Sequence, residues 1–174
     1  DNDGQRLSLK WMREIQPDPS QSSKIVRAGP LNLLDIDGDG GRDLVYNLYN
    51  GGEDNQWHLV VVDALTGITR HDYTQRYLHG MSDLDGDGQV ELMVSHTTGE
   101  ALPSYAPLEV WTLDHNGPNI RWTQEHGRFS THLREELPLN TSTGAADGLR
   151  TVTTGDVDRD GQHEFFVVEP EGQR

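Results

Sequence analysis

Three nine-residue blocks of this 174-residue chain carry the residue types and spacing of an oxygen-only cation cage. They read DIDGDGGRD (35–43), DLDGDGQVE (83–91) and DVDRDGQHE (156–164), each of the form D-x-D-x-D-G-x-x-acid. The first loop holds Asp35, Asp37, Asp39 and Asp43; the second Asp83, Asp85, Asp87 and Glu91; the third Asp156, Asp158, Asp160 and Glu164. Four carboxylates within nine residues repel one another at neutral pH, so a folded loop that holds them together needs a cation. Alternate spacing directs positions 1, 3 and 5 to one point, and the glycine at position 6 permits the turn. A backbone carbonyl at position 7 (Gly41, Gln89 or Gln162) can complete the shell. Such a donor set favours Ca²⁺ over Mg²⁺, which keeps more of its own water. About three Ca²⁺ sites are expected.

The spacing also tests the rival calcium motif. An EF-hand requires a bidentate Glu at position 12 and flanking helices. Position 12 is Tyr46, Val94 and Val167, and strand-like segments follow each block: LVYNLY, LMVS and FFVV. A solvated acidic turn that binds nothing could account for one block, because Asp and Gly are ordinary turn residues. Three blocks with the same ninth-position acid and the same downstream strand argue against it.

The elements around the loops recur as well. After the strand following each of the first two loops comes an alternating segment ending in Asp, Trp57–Asp63 and Leu108–Asp114. Each Asp opens a glycine turn, DALTG and DHNG, and a further strand begins at Ile68 or Ile120. The unit is inner strand, acidic loop, second strand, third strand, glycine turn, fourth strand. The loops start at 35, 83 and 156, spacings of 48 and 73. A period near 50 with four strands per unit marks a β-propeller blade. The predicted fold is all-β: four-stranded antiparallel blades, each with its acidic loop between the first and second strands. Residues 1–16 are expected to be the last strand of a preceding blade, 24–77 and 78–127 two blades, 128–149 an irregular insertion and 150–174 the first half of a further blade. Since a ring needs at least about four blades, the remainder of the propeller, or other chains, is expected to complete it.

Composition narrows the function classes. With 29 Asp+Glu against 14 Lys+Arg the formal charge is -15 and the sequence pI about 4.7, the reverse of a nucleic-acid surface. No run of 18 apolar residues occurs, so no membrane-spanning helix is expected. The absence of Cys excludes a disulfide framework, a thiolate metal site and a Cys nucleophile. No leader pattern opens the chain at Asp1-Asn2-Asp3-Gly4; on an exported protein it would already have been removed.

The blocks LDIDGDGGRDLVY, SDLDGDGQVELMV and GDVDRDGQHEFFV resemble the FG-GAP/VCBS family of calcium-binding propeller repeats, which includes integrin α-subunit heads and secreted bacterial proteins. The Phe-Gly and Gly-Ala-Pro motifs that name FG-GAP are missing, which brings the bacterial VCBS-like branch closer. The resemblance implies a propeller fold, bound calcium and an extracellular, periplasmic or cell-surface location. It implies no single activity, since such folds host many.

No constellation points to catalysis. The eight histidines form no H-E-x-x-H, and neither G-x-S-x-G nor a phosphate loop occurs. His58 alternates with apolar neighbours as a half-buried strand residue would; His71, His79, His96, His115 and His163 stand alone beside turns. The densest polar group is His126, Arg128, His132, Arg134, Glu135 and Glu136, in or beside the insertion, which reads as a solvent-exposed segment. Asn140-Thr141-Ser142 is formally a glycosylation acceptor. Trp11, Trp57, Trp111 and Trp122 fall on third or fourth strands and suit blade packing better than sugar stacking. The expected function is a calcium-stabilised segment of a larger secreted or cell-surface protein, a non-catalytic scaffold for a glycan or protein ligand. The alternative is part of a calcium-dependent polysaccharide lyase, because rhamnogalacturonan lyases look similar in being calcium propellers with such loops.

Overall fold

Alternating apolar residues and closely spaced turns produce an all-β fold. The computed structural model describes residues 9–12, 24–28, 33–130, 152 and 154–170, and contains no helix among them. The first antiparallel sheet has strands β1 (Lys24–Ala28), β2 (Asp43–Asn50), β3 (Trp57–Asp63) and β4 (Thr69–Thr74), paired in chain order. The second has β5 (Arg76–Ser82), β6 (Glu91–His96), β7 (Ala106–Asp114) and β8 (Gly117–Phe129), again in chain order. A third unit holds β9 (Thr154–Gly155) against β10 (Glu164–Phe165), followed by β11 (Val167–Val168). Two consecutive four-stranded meanders and part of a third unit match a partial β-propeller.

The apolar residues of β2, β3, β6 and β7 cover both faces of their sheets. Ile36, Val45, Leu59 and Val61 from the first repeat pack on Leu92, Val94, Trp111 and Leu113 from the second. The opposite face of the second sheet places Met93, Leu108, Val110 and Phe129 with Val152, Phe165 and Val167. Complete burial of Leu59, Val60, Val61 and Val62 along one strand follows from that two-sided coverage: neighbouring residues on β3 point to opposite faces.

Four details differ from the sequence expectation. The segment FFVV (165–168), expected to be one strand, is split at Phe166: β10 pairs with β9, whereas β11 pairs with β8 through Val167↔Phe129 and Val168↔Arg128. The cause lies in β8, which outlasts β7; their register ends at Ala106↔Gly127, leaving the backbone of 128 and 129 open to a new partner. The irregular stretch therefore begins later than 128, because Arg128 and Phe129 complete β8. Residues 9–12, expected inside a strand, are irregular. Trp11 instead donates from Nε1 to the Ala64 carbonyl at 2.9 Å and lies on Gly67, where a Cβ would come within 2.7 Å of its ring. The second sheet opens at Arg76, two residues before the expected boundary, after the single linking residue Gln75. Residues 1–8, 13–16 and 131–149 of the expected first strand and insertion lie outside the described residues.

Candidate metal centres

Each acidic loop lies between the first two strands of its unit: 35–43 falls between β1 and β2 and leads into β2, 83–91 joins β5 to β6 and 156–164 joins β9 to β10. Their internal hydrogen bonds repeat. In the first loop Asp35 accepts Gly38 N–H at 2.8 Å and Gly40 N–H at 2.9 Å, and in the second Asp83 accepts Gly86 N–H at 2.8 Å and Gly88 N–H at 3.0 Å. The third varies the scheme, with Asp156 accepting Asp160 N–H at 3.1 Å and Gly161 N–H at 3.1 Å. The ninth-position acid closes every loop by accepting the N–H of position 2: Ile36 to Asp43 at 3.1 Å, Leu84 to Glu91 at 2.7 Å, Val157 to Glu164 at 2.7 Å. The sixth-position glycines have left-handed φ of 85°, 89° and 94°, conformations that a Cβ penalises. Position 4 is also left-handed, with Gly38 and Gly86 at φ 74° but Arg159 at φ 67° in the third loop.

The carboxylates converge. One oxygen from each of Asp35, Asp37 and Asp39 lies within 4.8 Å of the others, and the same holds for Asp83, Asp85 and Glu91 and for Asp156, Asp158 and Glu164. These clusters could hold a metal ion. Of the remaining expected ligands, Asp43, Asp87 and Asp160 fall outside these groups. Asp43 sits at 1% exposure and binds Ile36; Asp87 and Asp160 accept Gln89 N–H at 2.7 Å and Gln162 N–H at 2.8 Å. Gly41, likewise, donates its N–H to Asp39 at 2.6 Å. The position-7 residues are thus held against the fifth-position acid in all three loops.

Mutual repulsion and burial strain the first two loops. Burial pushes the Asp43 carboxyl up, and Asp37 and Asp39 push it further, against the Ile36 hydrogen bond and Arg70. Burial also raises Glu91, with Asp85, Asp87 and Asp83 adding to the effect and the Leu84 hydrogen bond opposing it. Glu91 is 3% exposed, yet its Oε1 has no hydrogen-bond partner. A buried carboxylate oxygen left bare costs roughly 1–3 kcal/mol or more, and a hard cation is the partner that this donor set fits.

Two cationic side chains escaped the sequence reading. Arg70 of β4 places Nη1 2.8 Å from Asp39 and Nη2 2.7 Å from Asp63, and Arg121 of β8 places Nη2 3.2 Å from Asp85. Both stand seven residues after the turn-opening acids Asp63 and Asp114, and that shared offset was the available signal. The second and third loops are joined directly, since His163 N–H donates to the Leu84 carbonyl at 2.7 Å. His58, as expected, is a strand residue, but it is buried between two acids, Asp72 at 2.6 Å from Nδ1 and Asp54 at 2.9 Å from Nε2. The four tryptophans pack: Trp57 against Tyr49 and Tyr77, Trp111 in the core between the sheets, Trp122 against Phe129 and Phe165, Trp11 on the 63–67 turn. His126 lines an open polar groove with Thr123, Gln124, Glu125 and Glu169.

Among known proteins, the chain is similar to integrin alpha-PS2 of Drosophila melanogaster, with 30% identity over 148 residues. The match takes in 78% of this chain but 10% of the integrin, so the chain spans about a tenth of the length of that relative. No family model matches, and no solved structure does. The likeness is partial and integrin-like, in the same direction as the resemblance carried by the loops. No described helix is long and apolar enough to cross a membrane.

Proposed function

We propose that the chain is a calcium-stabilised β-propeller segment of a larger secreted or cell-surface protein, where it serves as a binding or adhesion scaffold. In this reading residues 24–77 and 78–127 contribute two blades, and 150–174 begins another. The remainder of the propeller or other chains completes the ring. The observation that carries the calcium part is Glu91: a buried carboxylate with a bare oxygen, converging with Asp83 and Asp85 in a loop whose closing hydrogen bond recurs in the other two. Two features support the adhesion part: the partial likeness to an integrin α chain and the position of the acidic clusters between the first two strands of each unit, where a bound metal would brace the blade.

Calcium would act through the chain's own carboxylates, cancelling their repulsion and fixing the first and second strands of each blade. Equilibrium dialysis of the purified chain against ⁴⁵Ca²⁺ tests this directly. About three ions bound per chain are expected; none bound at millimolar calcium contradicts the reading. The lyase alternative separates on another readout, absorbance at 235 nm from pectic polysaccharides, where a scaffold gives no rise.

A further inference from the structure

The two arginines beside the acidic loops stand at matching places in successive repeats. Arg70 lies on β4 and Arg121 on β8, the fourth strand of each sheet, and each reaches back to a carboxylate of its own unit's loop. The carboxylates they touch are members of the converging clusters: Asp39 in the first loop and Asp85 in the second. In the second cluster Glu91 keeps a buried oxygen without a partner even with Arg121 present, so the guanidinium does not satisfy the site. We infer that Arg70 and Arg121 are tethered counter-cations, and that each lowers the affinity of its loop for a divalent cation by holding an oxygen that the ion needs. The inference rests on the calcium reading above.

The two tethers differ in strength. Arg70 is gripped from both ends, by Asp39 and by Asp63, whose carboxylate is itself fixed by Thr66 and Leu65 N–H groups at 2.7 and 3.0 Å. Its side chain is 35% exposed, against 53% for Arg121, which makes the single 3.2 Å contact. Asp114, the counterpart of Asp63, is occupied by Asn119 Nδ2 at 3.0 Å instead. Among the described residues the third loop has no such arginine. An ion entering the first loop must therefore displace the firmest guanidinium, one entering the second a looser one, and one entering the third none among the described residues. A unit charge a few Å from a divalent ion at a solvated surface changes its binding by about two- to tenfold at low salt, and less when screened.

Calcium titrations of the intact chain, followed by calorimetry at low ionic strength, test the inference. Arg70→Gln and Arg121→Gln should each tighten one of the three sites by about two- to tenfold, with the larger effect at Arg70, and the double variant should tighten two. Arg70→Lys, which keeps the charge, should stay near the wild type, and 0.5 M NaCl should shrink every difference. Three wild-type sites whose affinities are unchanged or weakened in both Gln variants would overturn the tether while leaving the calcium reading intact. A wild-type chain that takes up no calcium would overturn both. Both side chains are partly exposed on strands, so either Gln variant should fold.

Discussion

The side chain of Asn47 is locked to the backbone of Leu78: Nδ2 donates to the Leu78 carbonyl at 2.9 Å, and Oδ1 accepts the Leu78 N–H at 2.8 Å. Asn47 lies on β2 and Leu78 on β5, so this reciprocal pair staples the first sheet to the second. Asn47 has no exposed surface. Substituting Asn47→Leu strands two backbone groups in a dry interface, at about 1–3 kcal/mol each before any relaxation. Urea unfolding should show a loss of about 3 kcal/mol. A loss under about 0.5 kcal/mol would mean that the contact between the sheets does not depend on this pair.

Arg159 takes φ 67° at the position where the first two loops have glycine. Left-handed backbone costs a residue with a Cβ about 1–2 kcal/mol, and the extra unfolded-state freedom of glycine returns about 0.5–1 kcal/mol of that. Arg159→Gly should therefore stabilise the chain by up to about 1 kcal/mol, read as a higher urea midpoint at constant slope. A lower midpoint would show that the Arg159 side chain contributes more than its backbone costs.

Two histidines pull the pH dependence in opposite directions. Burial pushes the His58 imidazole down, but its hydrogen bonds to Asp72 and Asp54 outweigh this and leave it above its ordinary 6.5. Its stabilisation is present in full below pH 6.5 and is lost as pH rises through the higher folded value. Burial pushes His79 down to about 4; the ring is wedged between Tyr77 and Phe129 and bonded to Ser95 Oγ at 2.8 Å. Its contribution is full above pH 6.5 and disappears as pH falls toward 4. Melting curves from pH 4 to 8 should therefore show His79→Gln flattening the acid limb and His58→Gln flattening the decline above pH 6.5. Parallel curves for wild type and variants would contradict both assignments.

The loops were legible in the sequence because their geometry is local: the carboxylates that converge are separated by two to eight residues, and the turns are set by glycine within the same nine. The order of β1–β4 and of β5–β8 was legible for the same reason, each set being a meander of neighbours. The arginine tethers were not, since Arg70 meets Asp39 and Arg121 meets Asp85 across 31 and 36 residues, and only the folded blade brings them together. Nor was the split after Phe165, which depends on β8 being longer than β7, a relation between lengths that neither strand encodes alone. The fifth-position acids illustrate a finer limit. Spacing places Asp39, Asp87 and Asp160 alike, but among them Asp39 joins its converging cluster, whereas in the other two loops the ninth-position Glu does so.

If Ca²⁺ in the three loops holds the blades together, as proposed above, the melting temperature must depend on calcium. Extracellular calcium modules reach dissociation constants of about 0.1–1 mM, so each loop, once occupied, would contribute about 0.4–1.4 kcal/mol at millimolar calcium. Three loops together would contribute about 1–4 kcal/mol, which for a chain of this size corresponds to about 3 to 15 °C. Calorimetric melts in 1 mM CaCl₂ and in excess EGTA should differ by that amount, with the EGTA sample melting lower. Coincident melting curves in the two buffers would contradict a structural role for the metal.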